Sequence, residues 1–231
     1  IVRASALDHV LDDAATMPPD LGLFIPRTRR MHPAITAFTS EVFYDGRLDG
    51  IEGLGHQEVL CEGPFAGAGL RTVEVSHEGN ANSSPEEAGT VAVIVDGLLG
   101  CRWRDMREEE REIGADEILV VTPFNAQLRE IVRELDGAGH PQVRVGTVDK
   151  FQGRQAPVVI YSMASSSAEE APRGLAFLYD LNRLNVATSR ARCIAILVAS
   201  PDLVRVFGKT PEQMRLANAL CRLRELAEGE I

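Results

Sequence analysis

Apolar residues along this chain form short runs, separated by longer stretches of helical periodicity. Four of the runs are apolar or β-branched without strict alternation, which is typical of parallel strands buried on both faces. The predicted strands are Gly22–Pro26, Arg71–Ser76, Ile118–Thr122, Val143–Thr147, Val158–Met163 and Cys193–Ala199. The predicted helices are Ala4–Asp13, Ala34–Phe43, Pro85–Leu99, Asn125–Leu135, Leu181–Arg190 and Pro211–Ala227. This strand-then-helix order predicts an α/β fold with a mostly parallel sheet and helices on both faces.

Three segments carry a different pattern. Asp45–Gly69 holds seven of the twenty glycines and few helix or strand indications, so we predict an irregular surface excursion there. The run Arg102–Gly114 has charges at helical spacing, which predicts the solvated face of a helix. Residues 201–231 are predicted to form a C-terminal helical segment whose apolar stripe packs on the core.

Composition favours one globular domain spanning residues 1–231. Of the 231 residues, 45% are hydrophobic and 25% are charged, which excludes a disordered tail. The four cysteines form no CxxC pair, which argues against a disulfide scaffold or a zinc site and fits a reducing cytoplasm. No apolar stretch approaches about 18 residues, so we expect no membrane-spanning segment. The net charge of −10 argues against a general nucleic-acid coat but is compatible with a local basic track.

The first stretch that could carry chemistry is VGTVDKFQGRQAPVVIYSM (Val145–Met163). Asp149, Gln152, Gly153 and Arg154 follow a predicted strand end in this stretch. Ligands of open α/β sheets bind at the carboxyl ends of the strands, and Gly153 would let the backbone approach a ligand closely. An ordinary strand connection with an aspartate cap explains these residues equally well.

A second stretch is LYDLNRLNVATSRARCIAILVASP (Leu178–Pro201), where arginines crowd the end of a predicted helix. Arg183 and Arg190 fall two turns apart on one face, and Arg190 and Arg192 precede a buried strand. Because arginine suits bidentate phosphate recognition, these residues predict contact with an anion. The alternative is a favourable interaction with the helix dipole, which is worth only ~0.3–1 kcal/mol.

Two further stretches flank predicted strands. RTRRMHP (Arg27–Pro33) is a basic cluster, and we interpret its His32 as a structural hydrogen-bonding residue because the other histidines form no metal-ligand spacing. ILVVTPFNAQ (Ile118–Gln127) ends a buried strand at Thr122 and continues into Phe124, which predicts hydroxyl and stacking contacts with a nucleic acid. A plain strand-to-helix turn explains the second stretch equally well.

Four motifs occur together in the order and spacing of one helicase class: RRMHPAITAFTSEVFYDGRL, TPFNAQ, VGTVDKFQGRQAPVVIYSM and LNRLNVATSRAR. Together they resemble the C-terminal motor domain of superfamily 1 helicases, in the 5′-to-3′ branch. The resemblance runs from about Ser5 to Pro201 and is strongest to bacterial proteins that join a RecB-like nuclease to such a helicase. It implies that the α/β fold is RecA-like, of the P-loop NTPase type.

The resemblance implies a role for each matching residue. Arg30 and Arg190 would contact the γ-phosphate of ATP, and the nucleotide edge would be formed by Gly153, Gln155 and Arg190. The nucleic-acid track would include Thr122, Pro123, Phe124, Thr147 and Val148. The residues linking the two sites would be Gln127, Asp149 and Gln152. The chain departs from the family where Gln155 replaces the usual Glu, and where Thr28–Arg29 replaces the usual Gln-Tyr.

The sequence contains no GxxxxGK[ST] phosphate loop, which this family carries in its first motor domain. The resemblance therefore implies that an N-terminal RecA-like domain binds ATP with Mg²⁺ and that this chain, inactive alone, completes the site. Its other partner would be a single-stranded nucleic acid, DNA rather than RNA. Retention of Arg30 and Arg190 argues against a non-hydrolysing binding module, and the absence of GxGxxG argues against a Rossmann-type oxidoreductase.

Overall fold

The computed structural model of the chain describes residues 10–11, 14, 16–151, 153–205 and 210–228. Its strands are β1 (Arg27–Thr28), β2 (Asp49–Gly50), β3 (Glu58–Leu60), β4 (Gly69–Glu74), β5 (Arg102–Arg104), β6 (Glu110–Glu112), β7 (Ile118–Thr122), β8 (Arg144–Thr147), β9 (Ala156–Ser162) and β10 (Ala191–Ala199). Its helices are α1 (Pro33–Phe43), α2 (Pro85–Leu98), α3 (Asn125–Gly137), α4 (Leu175–Leu178), α5 (Leu181–Ser189) and α6 (Pro211–Glu228). Short 3-10 turns cover Leu54–His56, Ala115–Glu117, Val148–Phe151 and Pro201–Val204.

Five strands form a central sheet in the order β4-β10-β9-β7-β8, and each neighbouring pair is parallel. The chain runs from β7 to the edge strand β8 and then returns across β7 to β9. The direction of strand order therefore reverses at β7, which makes its carboxyl end a topological switch point.

Two hydrophobic clusters cover the two faces of this sheet. Successive residues of β9 alternate between them, so that Val159 and Tyr161 pack with helices α1, α5 and α6. Val158 and Ile160 face the opposite side and pack with helices α2 and α3. Both clusters are built from fully buried aliphatic and aromatic side chains, which is what apolar runs without alternation predict. The predicted α/β fold with helices on both faces is confirmed.

The strand predicted at Gly22–Pro26 is wrong. These residues have no regular secondary structure, and Leu23 is 95% exposed. Pairing starts only at β1, which forms a short parallel ladder with β2. Pro26 lacks an N–H to donate to a ladder, which disfavours a strand here. Of the helix predicted at Ala4–Asp13, only residues 10 and 11 are described, and both are helical.

The helix predicted within Arg102–Gly114 is also wrong, since this run forms the hairpin of β5 and β6. The hairpin and β3 form a three-stranded antiparallel sheet. Of these strands, β3 belongs to the segment Asp45–Gly69, which was predicted to be irregular. The charges of the hairpin pair across strands instead of along a helix: both Arg102 and Arg104 contact Glu110. Trp103, between these two arginines, lies on the opposite face of β5 and is buried. Charged and buried side chains therefore alternate with the two-residue period of a strand.

Substitution of Gly146 tests the packing of the segment that follows β8. A Cβ at Gly146 would lie 2.8 Å from the ring of Phe151, which is buried in the core. We expect Gly146→Ala to lower the free energy of unfolding by about 1–3 kcal/mol, because the ring must move within a packed environment. The measurement is urea denaturation of the 231-residue chain.

The matched control is Gly137→Ala at the end of α3, where a Cβ would meet nothing within 4 Å. A helical alanine there is expected to leave stability unchanged or to raise it by up to about 1 kcal/mol. Equal stability of the two variants would contradict the packing argument.

Candidate functional site

The predicted phosphate-contacting arginines lie together at the amino ends of β9 and β10. Arg30 sits in the turn between β1 and α1, and Arg190 is the single residue between α5 and β10. The Arg30 Nη1 donates to the carbonyl oxygen of Ser189 at 2.8 Å, and its Nε donates to Gln155 Oε1 at 2.9 Å. The fold thus brings three predicted site residues together from distant parts of the sequence.

The two guanidinium groups are electrostatically uncompensated. Among the described residues, neither Arg30 nor Arg190 forms an ion pair, although both are half-buried. Partial burial, and secondly the charge of Arg190, lower the pKa of Arg30 from its ordinary value. The Arg190 Nε is buried and has no hydrogen-bond partner. Arginine stays protonated in proteins, so both charges persist. An anion bound between the Arg30 and Arg190 guanidinium groups would offset their repulsion and could accept a hydrogen bond from the Arg190 Nε.

Gln57 holds the Arg30 turn against the start of β10. Its side chain is 1% exposed, and its Nε2 donates to the carbonyl oxygens of Arg30 at 2.8 Å and of Arg192 at 3.1 Å. The backbone N–H of His32 donates to the same Arg192 oxygen at 2.8 Å. Sequence reasoning missed Gln57 because it lies in the glycine-rich excursion, where no periodicity marks a buried position.

His32 has the structural role predicted for it. Its Nδ1 accepts a hydrogen bond from the backbone N–H of Ala34 at the start of α1. Within the described part of the chain, no group of three or more His, Cys, Asp or Glu side chains could hold a metal ion. No described helix is long and apolar enough to cross a bilayer.

The connection from β8 to β9 runs between opposite edges of the sheet. Since the strands are parallel, residues 148–155 must cross from the carboxyl end of β8 to the amino end of β9. Thr147 therefore lies at one edge, and Gly153 and Gln155 lie toward the other. Gly153 has a φ of 80°, a left-handed conformation that favours glycine. The interpretation that places Gly153 and Arg154 at a ligand site on the carboxyl edge is therefore wrong, because this segment leaves that edge.

Residues predicted for the nucleic-acid track lie at the carboxyl edge, where β7 and β8 end side by side at Thr122 and Thr147. Thr147 and Phe124 are partly exposed. In contrast, Thr122, Pro123 and Val148 are buried, and the hydroxyl of Thr122 has no hydrogen-bond partner. In this structure, Thr147 and Phe124 are therefore the members of the predicted set that a strand of nucleic acid could reach.

Gln127, predicted to link the two sites, is fully buried near the carboxyl edge. Its Nε2 donates to Ser162 Oγ at 2.9 Å and to the Ser84 carbonyl oxygen at 3.2 Å, while its Oε1 accepts from the Ser84 N–H at 2.6 Å. It joins the start of α3 to the start of α2 and the end of β9, and it does not contact Arg30. The side chain of Asp149 is not described, and Gln152 lies outside the described residues.

A buried carboxylate continues this network. Glu87 Oε2 accepts from Ser162 Oγ at 2.6 Å and from the Ala164 N–H at 3.0 Å. Its Oε1 pairs with His77 Nε2 at 3.0 Å, and the His77 Nδ1 lies 2.8 Å from Ser166 Oγ. Every polar atom of this pair has a partner, which is the condition for a tolerable buried carboxylate. In the sequence, Glu87 follows the N-cap residue Ser84 by three positions, so it resembles an ordinary acidic residue in the first turn of a helix.

We expect Glu87→Ala to lower the free energy of unfolding by about 3–5 kcal/mol, because it leaves the buried partners unsatisfied. Glu87→Gln keeps one oxygen for Ser162 and Ala164 and offers an N–H to His77, so its loss should be on the order of 1–2 kcal/mol. Urea denaturation measures both. Exposed Glu62→Ala is the control, and a Glu87→Ala variant as stable as that control would refute the role of the network.

Comparison with known proteins identifies the family to which this chain belongs. The AAA domain family model matches residues 23–202, so the chain belongs to the AAA domain family. The chain is 31% identical over 216 residues to a regulator of nonsense transcripts 1 of Takifugu rubripes, a match covering 87% of this chain and 18% of that protein. It is 29% identical over 192 residues to the ATP-dependent helicase upf1 of Schizosaccharomyces pombe, covering 76% of this chain and 19% of that protein.

Among solved structures, the C-terminal domain of a possible DNA helicase from Lactobacillus plantarum is similar at 16% identity with a TM-score of 0.42. That similarity covers 84% of this chain and 96% of the other. The chain spans less than a fifth of the length of the two relatives above, 18% and 19% respectively. The chain is therefore a domain of the AAA domain family that is similar to parts of much longer proteins.

Proposed function

We propose that the chain is the second motor domain of an ATP-dependent helicase and supplies Arg30 and Arg190 to an ATP site on a partner RecA-like domain. The observation that carries this proposal is the pair of half-buried guanidinium groups without ion pairs, one of which has a buried, unused Nε donor. Two adjacent cations that repel each other in a partly desolvated turn are suited to a polyphosphate.

The residues present fit the phosphate end of a nucleotide. The planar Arg190 guanidinium can donate to two oxygens, and it would stabilise charge that develops on the γ-phosphate during hydrolysis. Mg²⁺, held mainly by the partner domain, would neutralise charge on the β- and γ-phosphate oxygens. Arg30 is held against Ser189 and Gln155, so its position is set before any nucleotide binds.

Gln155 stands where the helicase family that the sequence resembles usually has Glu. In this chain the neutral amide oxygen accepts from Arg30 Nε without cancelling its charge. A carboxylate at the same place would form an ion pair with Arg30. The substitution therefore makes this turn more cationic, and we propose that Gln155 orients Arg30 in addition to lying beside the nucleotide.

The proposed track for single-stranded nucleic acid lies at the opposite edge, where Thr147 and Phe124 are accessible. Closing and opening of the cleft between the two motor domains would move the strand along this edge. We propose DNA as the track, with RNA as the direct competitor in the test, since one relative is named for nonsense transcripts. The resemblance to RecB-like nuclease fusions remains a prediction about the longer protein.

Arg190→Ala provides the sharpest test of the proposed ATP site. In a protein that joins this chain to its partner motor domain, we expect kcat for ATP hydrolysis to fall by about 10³–10⁵, the range seen for arginine fingers. Arg190→Lys should restore little activity, because an ammonium group cannot reproduce the planar fork. The measurement is steady-state ATPase activity together with the thermal midpoint.

Arg192→Ala is the matched control, because Arg192 lies two residues away but covers the ring of Trp103 at 4.8 Å. It should lower the thermal midpoint and leave kcat nearly normal. Arg190 caps α5 at its C-terminal end, so a merely structural role would cost at most ~1 kcal/mol of stability and leave turnover intact. Near-normal turnover in Arg190→Ala would sink the assignment.

The 231-residue chain by itself should release no measurable phosphate from ATP in the presence of Mg²⁺, since its sequence contains no phosphate loop. The assay is phosphate release over hours, with the Arg190→Ala chain prepared in parallel. Turnover present in the unaltered chain and abolished by Arg190→Ala would show that the site is complete within this chain, against the proposal. Turnover equal in both would identify a contaminating activity.

A further inference from the structure

A second group of uncompensated cations lies at the carboxyl edge of the sheet. The guanidinium carbons of Arg173 and Arg183 lie over the ring of Phe177, at 4.7 Å and 4.2 Å from its centroid. The Phe177 ring in turn lies 5.5 Å from that of Phe124, tilted by 36°. We call these four side chains the arginine–phenylalanine stack.

The stack adjoins the proposed nucleic-acid track. Phe124 is two residues beyond Thr122, the end of β7, whose neighbour in the sheet is the accessible Thr147. Arg173 and Phe177 come from the segment leading into and forming α4, and Arg183 comes from the first turn of α5. Arg183 was among the arginines predicted to contact an anion, but none of the three was predicted to bind nucleic acid, because the contact exists only after α4 has folded against Phe124.

The charges of the stack are not used within the described structure. Neither Arg173 nor Arg183 forms an ion pair there, whereas eight other described arginines do, in a chain with 34 acidic and 24 basic residues. The carboxylates nearest in sequence are otherwise engaged: Glu170 accepts from the Gly79 N–H, and Asp180 accepts from the Arg183 N–H as the cap of α5. Arg192 also lies over a ring without an ion pair, but it is alone and its ring, Trp103, is buried. Two unpaired arginines over one partly exposed ring, beside the proposed track, suggest an external anion.

We propose that the arginine–phenylalanine stack binds single-stranded nucleic acid, with Arg173 and Arg183 on successive phosphates and an unpaired base against a guanidinium plane or the exposed side of Phe124. This inference rests on the proposed function and extends its track onto α4 and α5. The cation–π contacts with Phe177 hold both guanidinium groups in place, so less side-chain freedom is lost on binding. Stacking needs an open base face, which a single strand offers and a duplex does not.

Salt dependence provides a quantitative test. Each phosphate contact with a single strand contributes about 0.7 to the slope of log K against log salt concentration. The double variant R173Q/R183Q should therefore flatten the slope by about 1.4. R173K/R183K keeps the charges and should retain most of the slope, while Phe177→Leu should weaken binding by releasing both arginines. Thermal midpoints of all variants establish that they fold.

The experiment uses the 231-residue chain and fluorescence anisotropy with labelled oligo-dT and oligo-U, over about 50–200 mM salt. The control is R102Q/R111Q, which removes the same charge from the small antiparallel sheet, where both arginines are ion-paired. The proposal expects the flattened slope in R173Q/R183Q alone, and the two oligonucleotides show whether DNA or RNA is preferred.

Each other outcome has a distinct meaning. If the unaltered chain binds and R173Q/R183Q behaves like R102Q/R111Q, the stack is not a binding site, and the proposed track at Thr147 stands without it. If the unaltered chain binds no single strand even at low salt, both the stack and the nucleic-acid part of the proposed function are overturned. Equal affinity for a duplex would contradict the stacking contact.

Discussion

The short connection between β8 and β9 limits how far the carboxyl edge and the amino edge of the central sheet can move relative to each other. Thr147 is level with Thr122, and Val158 is level with Ile118, so Ala156 lies six residues below Thr147 in the sheet. At about 3.3 Å per residue this is about 20 Å along the strands. Eight residues containing one 3-10 turn reach only about 25 Å. Packing of Phe151 against Gly146 removes further slack, so a shift at one end should displace the other.

Arginines without ion pairs lie at both the amino edge and the carboxyl edge of the central sheet. At the amino edge, Arg30 and Arg190 lie close enough for their charges to repel and have no carboxylate partner in the described structure, and Gln155 holds Arg30 without neutralising it. At the carboxyl edge, Arg173 and Arg183 are likewise free of ion pairs but are held over an aromatic ring. Elsewhere eight described arginines form ion pairs, so a chain with net charge −10 still has two local groups of unpaired cations. The proposed function depends on these two groups and not on the total charge.

Sequence reasoning succeeded where a single local pattern determines the structure. The apolar runs of β7, β9 and β10 predicted strands buried on both faces. The proximity of Arg30 and Gln155 was instead implied by the family resemblance, which assigns both to the nucleotide site. Sequence reasoning failed at Gly22–Pro26, where Leu23 and Ile25 are exposed. It also failed at Arg102–Gly114, where charges that alternate between the two faces of a strand also fit helical spacing. Gln57, the His77–Glu87 pair and Phe177 were invisible beforehand, because their roles arise only from contacts between segments far apart in sequence.

The proposed function requires that Arg30 and Arg190 complete an ATP site on the partner motor domain. The most direct measurement is a crystal structure of the protein that joins both domains, with ADP, Mg²⁺ and aluminium fluoride as the transition-state mimic. The account predicts guanidinium nitrogens of both arginines within about 3 Å of the fluorides or the β-phosphate oxygens, with Gln155 still accepting from Arg30. Guanidinium groups that remain as in the present structure, with solvent or other side chains around the mimic, would contradict it.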